Sequence, residues 1–335
     1  MILVTGATGM LGSHLAFALC SQGNKIRASY RHKSSIEKTA AVFKMYTSNP
    51  EAILQNMEWV QSDLSDIQSL DPVFGDIHKV YHCAAEVSFD ARKRRDIVQN
   101  NMVCARNVVE CCLKHNVEKL CHVSSIAALG TKVADEMLTE SHFWVNAKNR
   151  SAYSESKYLS EMEVWRGIAE GLNAVIVNPS VILGPGNWDA GSPSLFKLVD
   201  RGLKFYTNGG TGFIDVNDVV KCMIGLMDSP ICGERFILNA ENMSYRQFFN
   251  TIAVSLGKKP PSIEAKPWML SLAWRIEALR SKIFCVEPKI TRQTAKTSLV
   301  FDCYSNDKIV SQAYDFIPVA SSIKRIAEIY LKGNY

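Results

Sequence analysis

Tyr153 and Lys157 stand four residues apart in the run Tyr153-Ser154-Glu155-Ser156-Lys157, which opens a stretch of helical period. That spacing puts a phenol and an ammonium on one helix face. A free tyrosine, with a pKa of about 10, is a poor acid or base at neutral pH. A neighbouring Lys ammonium stabilises the phenolate and lowers that pKa. Tyr and Lys at this spacing also recur on helices by chance, so the weight comes from a second feature. Ser124-Ser125 ends an apolar, β-branched run, residues 119–123. It therefore falls at the carboxyl edge, where open parallel sheets place their ligands. A serine hydroxyl there reaches the same substrate oxygen as the phenol. The chemistry is proton transfer to an oxygen whose charge changes.

A second constellation points to an anionic ligand. Thr5-Gly6-Ala7-Thr8-Gly9-Met10-Leu11-Gly12 follows the apolar strand Ile2-Leu3-Val4 and leads into a helical stretch, residues 10–22. Gly6 permits the tight turn, Gly9 lets the backbone approach a pyrophosphate, and Gly12 lets helix and strand pack closely. The helix start adds unpaired N–H groups and positive dipole. A glycine-rich turn without a ligand is the alternative, and the strand–turn–helix placement disfavours it. Gly6, Thr8, Gly9, Met10, Leu11 and Gly12 are thus candidates to hold a dinucleotide. About twenty residues on, an NAD site offers an Asp or Glu to the ribose. Here the chain offers Arg31-His32-Lys33-Ser34-Ser35 and no carboxylate before Glu37. The planar fork of Arg31 suits a 2′-phosphate, which favours NADP (NADPH), with NAD as the alternative.

The elements that must carry these residues alternate. Strands are expected at residues 25–30, 57–61, 79–82, 119–123 and 174–177, the last stopped by Pro179, and helices at 97–115 and 153–170. Alternation of this kind makes a parallel sheet with helices on both faces. The fold class is α/β, a Rossmann-type doubly wound parallel sheet with a smaller, mixed α/β C-terminal substrate domain. After Pro179 the texture changes, with Gly184, Pro185, Gly186, Gly191 and Pro193 in one loop and a helix near 195–201. Residues 1–178, with 213–240 returning, are assigned to the dinucleotide domain, and 179–212 with 241–335 to the substrate domain. Residues 266–284 are apolar with interspersed Arg and Lys. Packing in the C-terminal core is favoured for them over an amphipathic surface helix.

Composition closes off other classes. The 335 residues are 47% hydrophobic and 21% charged, which excludes a disordered chain. The net charge of +5 is spread along the chain, so no nucleic-acid partner is expected. The ten cysteines, Cys285 among them, show neither CxxC pairs nor metal-ligand spacing. Buried reduced thiols, a cytoplasmic setting and no metal are the expectation. No apolar run approaches the length of a membrane span, and Met1 leads straight into a strand without a leader pattern.

Together these motifs resemble the extended short-chain dehydrogenases/reductases, the NAD-dependent epimerase/dehydratase family. The resemblance rests on Thr5 to Gly12, Asp63-Leu64, His82-Cys83-Ala84-Ala85, Asn101 to Asn107, Ser124-Ser125 with Gly130, Tyr153 with Lys157, Asn178-Pro179-Ser180-Val181, Gly184-Pro185-Gly186, and Phe213 to Val219. It implies that Asp63 and Leu64 line the adenine site and that Ala84 and Ala85 lie beside the cofactor. Pro179 and Val181 would meet the nicotinamide end. Ser125, at the family's distance before Gly130, would be the catalytic serine, Tyr153 the acid/base, and Lys157 the residue that holds the nicotinamide ribose. Asn101 would be structural, and Asp215 and Asp218 would shape the chain's return. A homodimer through the helices at 97–115 and 153–170 would follow as well.

The branch is narrowed by what is missing. Ile126-Ala127 stand where dehydratases of nucleotide sugars carry an Asp-Glu pair, and neither side chain moves a proton. Arg31 departs from the acidic residue usual in the sugar epimerases. The runs Ala28-Ser29-Tyr30-Arg31 and Thr211 to Val216 resemble the dihydroflavonol-reductase-like branch. An NADPH-dependent reductase of a small-molecule ketone or aldehyde is therefore expected, with Tyr153 as proton donor. The alternatives are an NAD-dependent sugar-nucleotide epimerase or steroid-type dehydrogenase, and a non-catalytic NADP(H)-sensing protein. Substrate identity is expected to lie after Gly184, at 89–95 and at 130–152; for the aromatic residues there, Phe143, Trp144, Trp188 and Phe196, a place in the core is favoured over a substrate wall, and none is assigned to substrate.

Overall fold

The computed structural model describes residues 1–33, 36–87, 91–130, 136–144, 151–284, 286, 288 and 290–333. Ser34, Ser35, Phe89 and Cys285 lie outside the described residues. The first half runs β1 (Ile2–Thr5), α1 (Met10–Ser21), β2 (Ile26–Tyr30), α2 (Ile36–Lys44), α3 (Pro50–Leu54), β3 (Met57–Gln61), α4 (Ile67–Leu70), β4 (Lys79–His82), α5 (Arg94–Lys114), β5 (Lys119–Val123), α6 (Ala152–Ala169) and β6 (Ala174–Pro179). The second half runs β7 (Val181–Leu183), α7 (Ser194–Asp200), β8 (Phe205–Tyr206), β9 (Gly210–Asp215), α8 (Val216–Asp228), β10 (Glu234–Leu238), β11 (Glu241–Ser244), α9 (Tyr245–Ser255), β12 (Ile263–Glu264), α10 (Pro267–Phe284), α11 (Arg292–Thr297), α12 (Asp307–Val310) and α13 (Val319–Lys332).

Seven parallel strands form the main sheet in the order β10-β6-β5-β4-β1-β2-β3. Apolar side chains alternate between its faces. Val4, Cys121, Val175 and Val177 meet α1 and α8 through Leu15, Leu19, Val219 and Met223. Leu3, Leu120 and Ile176 meet α5 and α6 through Val108, Val109 and Val164. Burial on both faces is what near-continuous apolar strands require. The strand order reverses between β1 and β4, so a crevice opens beyond their carboxyl ends. One boundary differs from expectation: β6 does not stop before Pro179, which still pairs in register with Leu238. The missing proline N–H costs little there, because β5 pairs with β6 only as far as Val177 and the Ser180 N–H serves Leu238 on the β10 side.

The C-terminal part has its own core, where Phe213, Phe248, Ile252, Ile323, Ile326 and Tyr330 pack from β9, α9 and α13. Trp188 and Phe196 belong to this core rather than to a substrate wall. Helix α10 does not join it, which corrects the expectation for residues 266–284. The core is already filled by α9 and α13, and Ser281 is the only buried residue of α10. Of the nine described cysteines all are free, and five are buried, while Cys232 is exposed.

Candidate active site

The turn after β1 is shaped by backbone contact. Gly6 adopts φ +72, and a Cβ there would lie 2.6 Å from the Ala84 nitrogen at the end of β4. A Cβ on Gly12 would lie 2.1 Å from the Gly6 carbonyl oxygen. Gly12 therefore packs α1 against the turn. Gly9 is the N-cap of α1 and has no side chain to satisfy the first-turn N–H groups. That positive end opens at a cavity of about 300 Å³ lined by Gly6, Thr8, Gly9, Arg31, Asp63, Leu64, Ala84 and Ala85. Such a cradle of glycine backbone and free N–H groups fits a pyrophosphate.

Eight of the residues expected to hold cofactor thus meet at one cavity. Ser29, Tyr30, Ser62, Cys83, Glu86, Asn100, Asn101 and Cys104 complete the wall. Ser62 and Glu86 adjoin motif residues, but neither has a spacing signature that singles it out. Met10, Leu11, Gly12, Tyr153, Lys157, Pro179 and Val181 are not on this wall. Leu11 is part of the core beneath, and Met10 lies against Gly186 and Ser192. Pro179 ends β6 and Val181 begins β7.

The charges at the cavity mouth are mixed. Arg31 is exposed after β2. Asp63 is held below its ordinary carboxyl pKa by the Ser65 hydroxyl and N–H, with Arg31 and His32 adding attraction. The Ser65 hydroxyl donates to Asp63 Oδ1 at 2.7 Å, and its N–H at 2.9 Å. Asn101 is a brace: it accepts from the Glu86 N–H at 2.8 Å, donates to the Glu86 carbonyl at 2.9 Å and to the Ser156 hydroxyl at 3.1 Å. It ties the exit of β4 to the first turn of α6.

Helix α6 starts at Ser151, whose hydroxyl accepts from the Ser154 N–H at 3.0 Å. Its first turns bring Tyr153 beside β5, where the Ser125 hydroxyl hydrogen-bonds the phenol. Burial pushes the Tyr153 pKa up, and the Ser125 bond offsets part of that rise. The spacing predicts that Lys157 lowers the Tyr153 pKa, but the balance here runs the other way. The Lys157 ammonium instead donates to the Val123 carbonyl at 3.0 Å. Burial lowers its own pKa to about 8, with the Cys83 and Glu161 charges opposing that shift.

Beneath the phenol lies a buried network that sequence reasoning missed. Glu161 Oε2 accepts from the Ser124 hydroxyl at 2.6 Å and from Asn178 at 2.8 Å. Its Oε1 accepts from Arg235 at 2.9 Å and from Trp165 at 3.2 Å. One signal was available: Tyr153, Lys157 and Glu161 repeat every four residues, so they share a helix face. Gly130 sits against the Phe143 backbone, where a Cβ would meet its carbonyl at 2.0 Å. Phe143 and Trp144 line a separate cavity of about 700 Å³ on the other side of α6, with Tyr158, Met162 and Trp165. Asp215 caps α8 and pairs with Arg325 at 2.6 Å, and Asp218 accepts from the Ile317 N–H at 2.8 Å. Both aspartates fasten the C-terminal segment.

Comparison with known proteins places this geometry. Residues 2–237 match the model of the NAD dependent epimerase/dehydratase family. A putative dihydroflavonol 4-reductase of Synechocystis sp. is 30% identical over 289 residues, 81% of this chain and 77% of the relative. Sterol demethylase protein B of Methylococcus capsulatus is 28% identical over 274 residues, 80% of this chain and 78% of the relative. The solved UDP-glucose 4-epimerase of Thermotoga maritima superposes with a TM-score of 0.77 at 18% identity, covering 100% of this chain and 99% of the other. That likeness is one of fold.

Proposed function

Because this chain belongs to the NAD-dependent epimerase/dehydratase family and is an NAD(P)-dependent oxidoreductase of the extended short-chain type, we propose that it reduces a ketone or aldehyde of a small molecule with NADPH. The observation that carries this reading is the bond between the Ser125 hydroxyl and the Tyr153 phenol at the sheet's carboxyl edge.

NADPH would supply the hydride. Gly6, Thr8, Gly9, Met10, Leu11 and Gly12 would hold its pyrophosphate, Arg31 its 2′-phosphate, and Asp63 and Leu64 its adenine end. Ala84, Ala85, Pro179 and Val181 would flank the nicotinamide end, with Lys157 on the ribose. Residues 1–178 and 213–240 would serve the cofactor, and residues 179–212 and 241–335 the substrate.

The chain's own groups then have defined tasks. A phenol whose pKa is raised by burial is protonated at neutral pH, the state a proton donor needs. Tyr153 gives its proton to the carbonyl oxygen as charge develops there, and Ser125 hydrogen-bonds the same oxygen. Lys157 is mostly protonated at pH 7, since its pKa of about 8 lies above that. Its N–H groups not spent on Val123 are available to a ribose hydroxyl.

The test is a parallel titration with NADPH and NADH, joined to a carbonyl-substrate screen. NADPH is expected to bind at least tenfold tighter, and Arg31→Ala to remove that preference, as loss of a bidentate phosphate contact implies. Tyr153→Phe is expected to abolish turnover and leave NADPH binding nearly intact. Preserved turnover in Tyr153→Phe overturns the assignment. A second reading, NAD-dependent oxidation of a steroid-type alcohol, draws on the likeness to sterol demethylase protein B. A preference for NADH, with cofactor retained through purification, selects it.

A further inference from the structure

Helix α10 turns an apolar stripe outward. Trp268, Leu272, Ile276, Leu279 and Ile283 are 68%, 52%, 58%, 60% and 63% exposed. At 100° per residue their spacing confines them to an arc of about 80° on one side of the helix. Scattered apolar residues on a surface need no explanation, but five in one continuous stripe mark an interaction site.

The opposite side of α10 is anchored. Ser281 is buried, and its hydroxyl donates to the Val286 carbonyl and accepts from Arg92 at 3.1 Å. Arg92 also donates to that carbonyl at 3.1 Å. The helix is thereby pinned to the segment between β4 and α5, with the stripe facing away. The charges around the stripe are one-sided. Arg275 and Lys282 are exposed and border it, while Lys266, before the helix, is paired with Glu264 at 2.9 Å. Glu277, the only carboxylate of α10, lies on the far side and accepts from Arg280 at 2.8 Å.

We propose that α10 docks this protein on an anionic lipid surface. The helix lies in the plane of the interface, with the five apolar side chains at the headgroup–acyl boundary and the Arg275 and Lys282 cations on the lipid phosphates. None of the described helices is long and apolar enough to cross a membrane, so α10 rests on the bilayer. Charge decides the occupant. A second copy packed antiparallel through the same stripe sets Arg275, at the middle of the helix, against its own copy. An anionic bilayer instead meets that cation with phosphate. The net charge of +5 favours the same approach.

Flotation of the full chain with vesicles tests this, using phosphatidylcholine alone or mixed with phosphatidylserine. Binding is expected to the mixed vesicles and to weaken with added salt. The pair Leu272→Glu and Leu279→Glu is expected to weaken binding by about tenfold or more. The pair Arg275→Gln and Lys282→Gln is expected to weaken it by roughly fivefold per cation and to flatten the salt dependence. Because these four residues are exposed, both pairs should keep the wild-type melting temperature and NADPH affinity. Three outcomes overturn the proposal. The wild-type chain fails to float with mixed vesicles, whatever the variants do. Alternatively, flotation survives Leu272→Glu with Leu279→Glu. Or sedimentation finds a dimer that this pair dissolves, which makes the stripe a contact between copies.

Discussion

The Ser124 hydroxyl donates to the Glu161 carboxylate at 2.6 Å, while its neighbour Ser125 bonds the Tyr153 phenol. The two adjacent serines follow β5, and both reach the face of α6 that carries Tyr153 and Glu161, two turns apart. Ser124 is spent on a buried carboxylate, and in the proposed reduction Ser125 would meet the reacting oxygen. Ser125→Ala should lower kcat by about 10²–10³-fold, the cost of losing a donor to a developing oxyanion. Ser124→Ala should leave kcat little changed and cost about 1–3 kcal/mol of stability, since the buried Glu161 loses a donor. Saturating turnover and urea denaturation of both variants separate the two roles.

Gly12 predicts a steric failure with an internal control. A methyl group there would sit 2.1 Å from the Gly6 carbonyl oxygen, and backbone is what would have to give. Gly12→Ala should cost about 1–3 kcal/mol through overpacking. It should also weaken NADPH binding, because the turn it displaces forms the cavity wall. At Gly75 the nearest atom to an added Cβ is 3.8 Å away. Gly75→Ala should leave melting temperature and NADPH affinity unchanged. Thermal melts with and without NADPH read both outcomes.

Acid should unfold the chain through three histidines. Burial lowers His82 to about 3 and His14 to about 4, and holds His122 well below its ordinary value. All three are neutral in the folded chain, whereas the unfolded chain protonates them below about pH 6.5. The unfolded state therefore binds more protons as pH falls, and stability drops from about pH 6.5 toward pH 4. The combined slope is at most about 4 kcal/mol per pH unit, counting about 1.4 for each group. The His122 ring nitrogens have no hydrogen-bond partner among the described residues. His122→Phe should thus keep the fold and remove about one third of the acid slope, read from urea midpoints across this range.

What the sequence disclosed was local, and what it concealed was remote. The Gly6–Gly12 turn, the parallel strands and the Tyr153–Lys157 face are set by neighbours within a few residues. Burial is set by the whole fold, so the spacing could not tell that burial would raise the Tyr153 pKa. Contacts between distant segments left no trace. His14 donates to the Pro185 carbonyl at 2.8 Å, joining α1 to the loop after β7 across 171 positions. The apolar character of residues 266–284 was legible. Their outward direction was not, because it depends on α9 and α13 filling the core first.

Glu161 and Arg235 form a buried pair at 2.9 Å, with side-chain exposures of 0% and 9%. Arg235 also donates to the Glu140 and His142 carbonyls, which fastens the segment before α6 to β10. Glu161→Gln leaves the guanidinium buried without a counter-charge, and about 3–5 kcal/mol of stability should go with it. Arg235→Met should cost less, since Glu161 keeps its bonds from Ser124, Asn178 and Trp165. The double variant should cost less than the sum of the two, because the second change removes a charge already stranded. A purely structural pair would stop there, but Glu161 also raises the Lys157 pKa by its charge. Without that charge Lys157 should lose its proton below pH 8 rather than near it. The alkaline limb of NADPH binding should shift to lower pH in Glu161→Gln and stay in place in Ser124→Ala. An unmoved limb in Glu161→Gln would confine Glu161 to holding the fold.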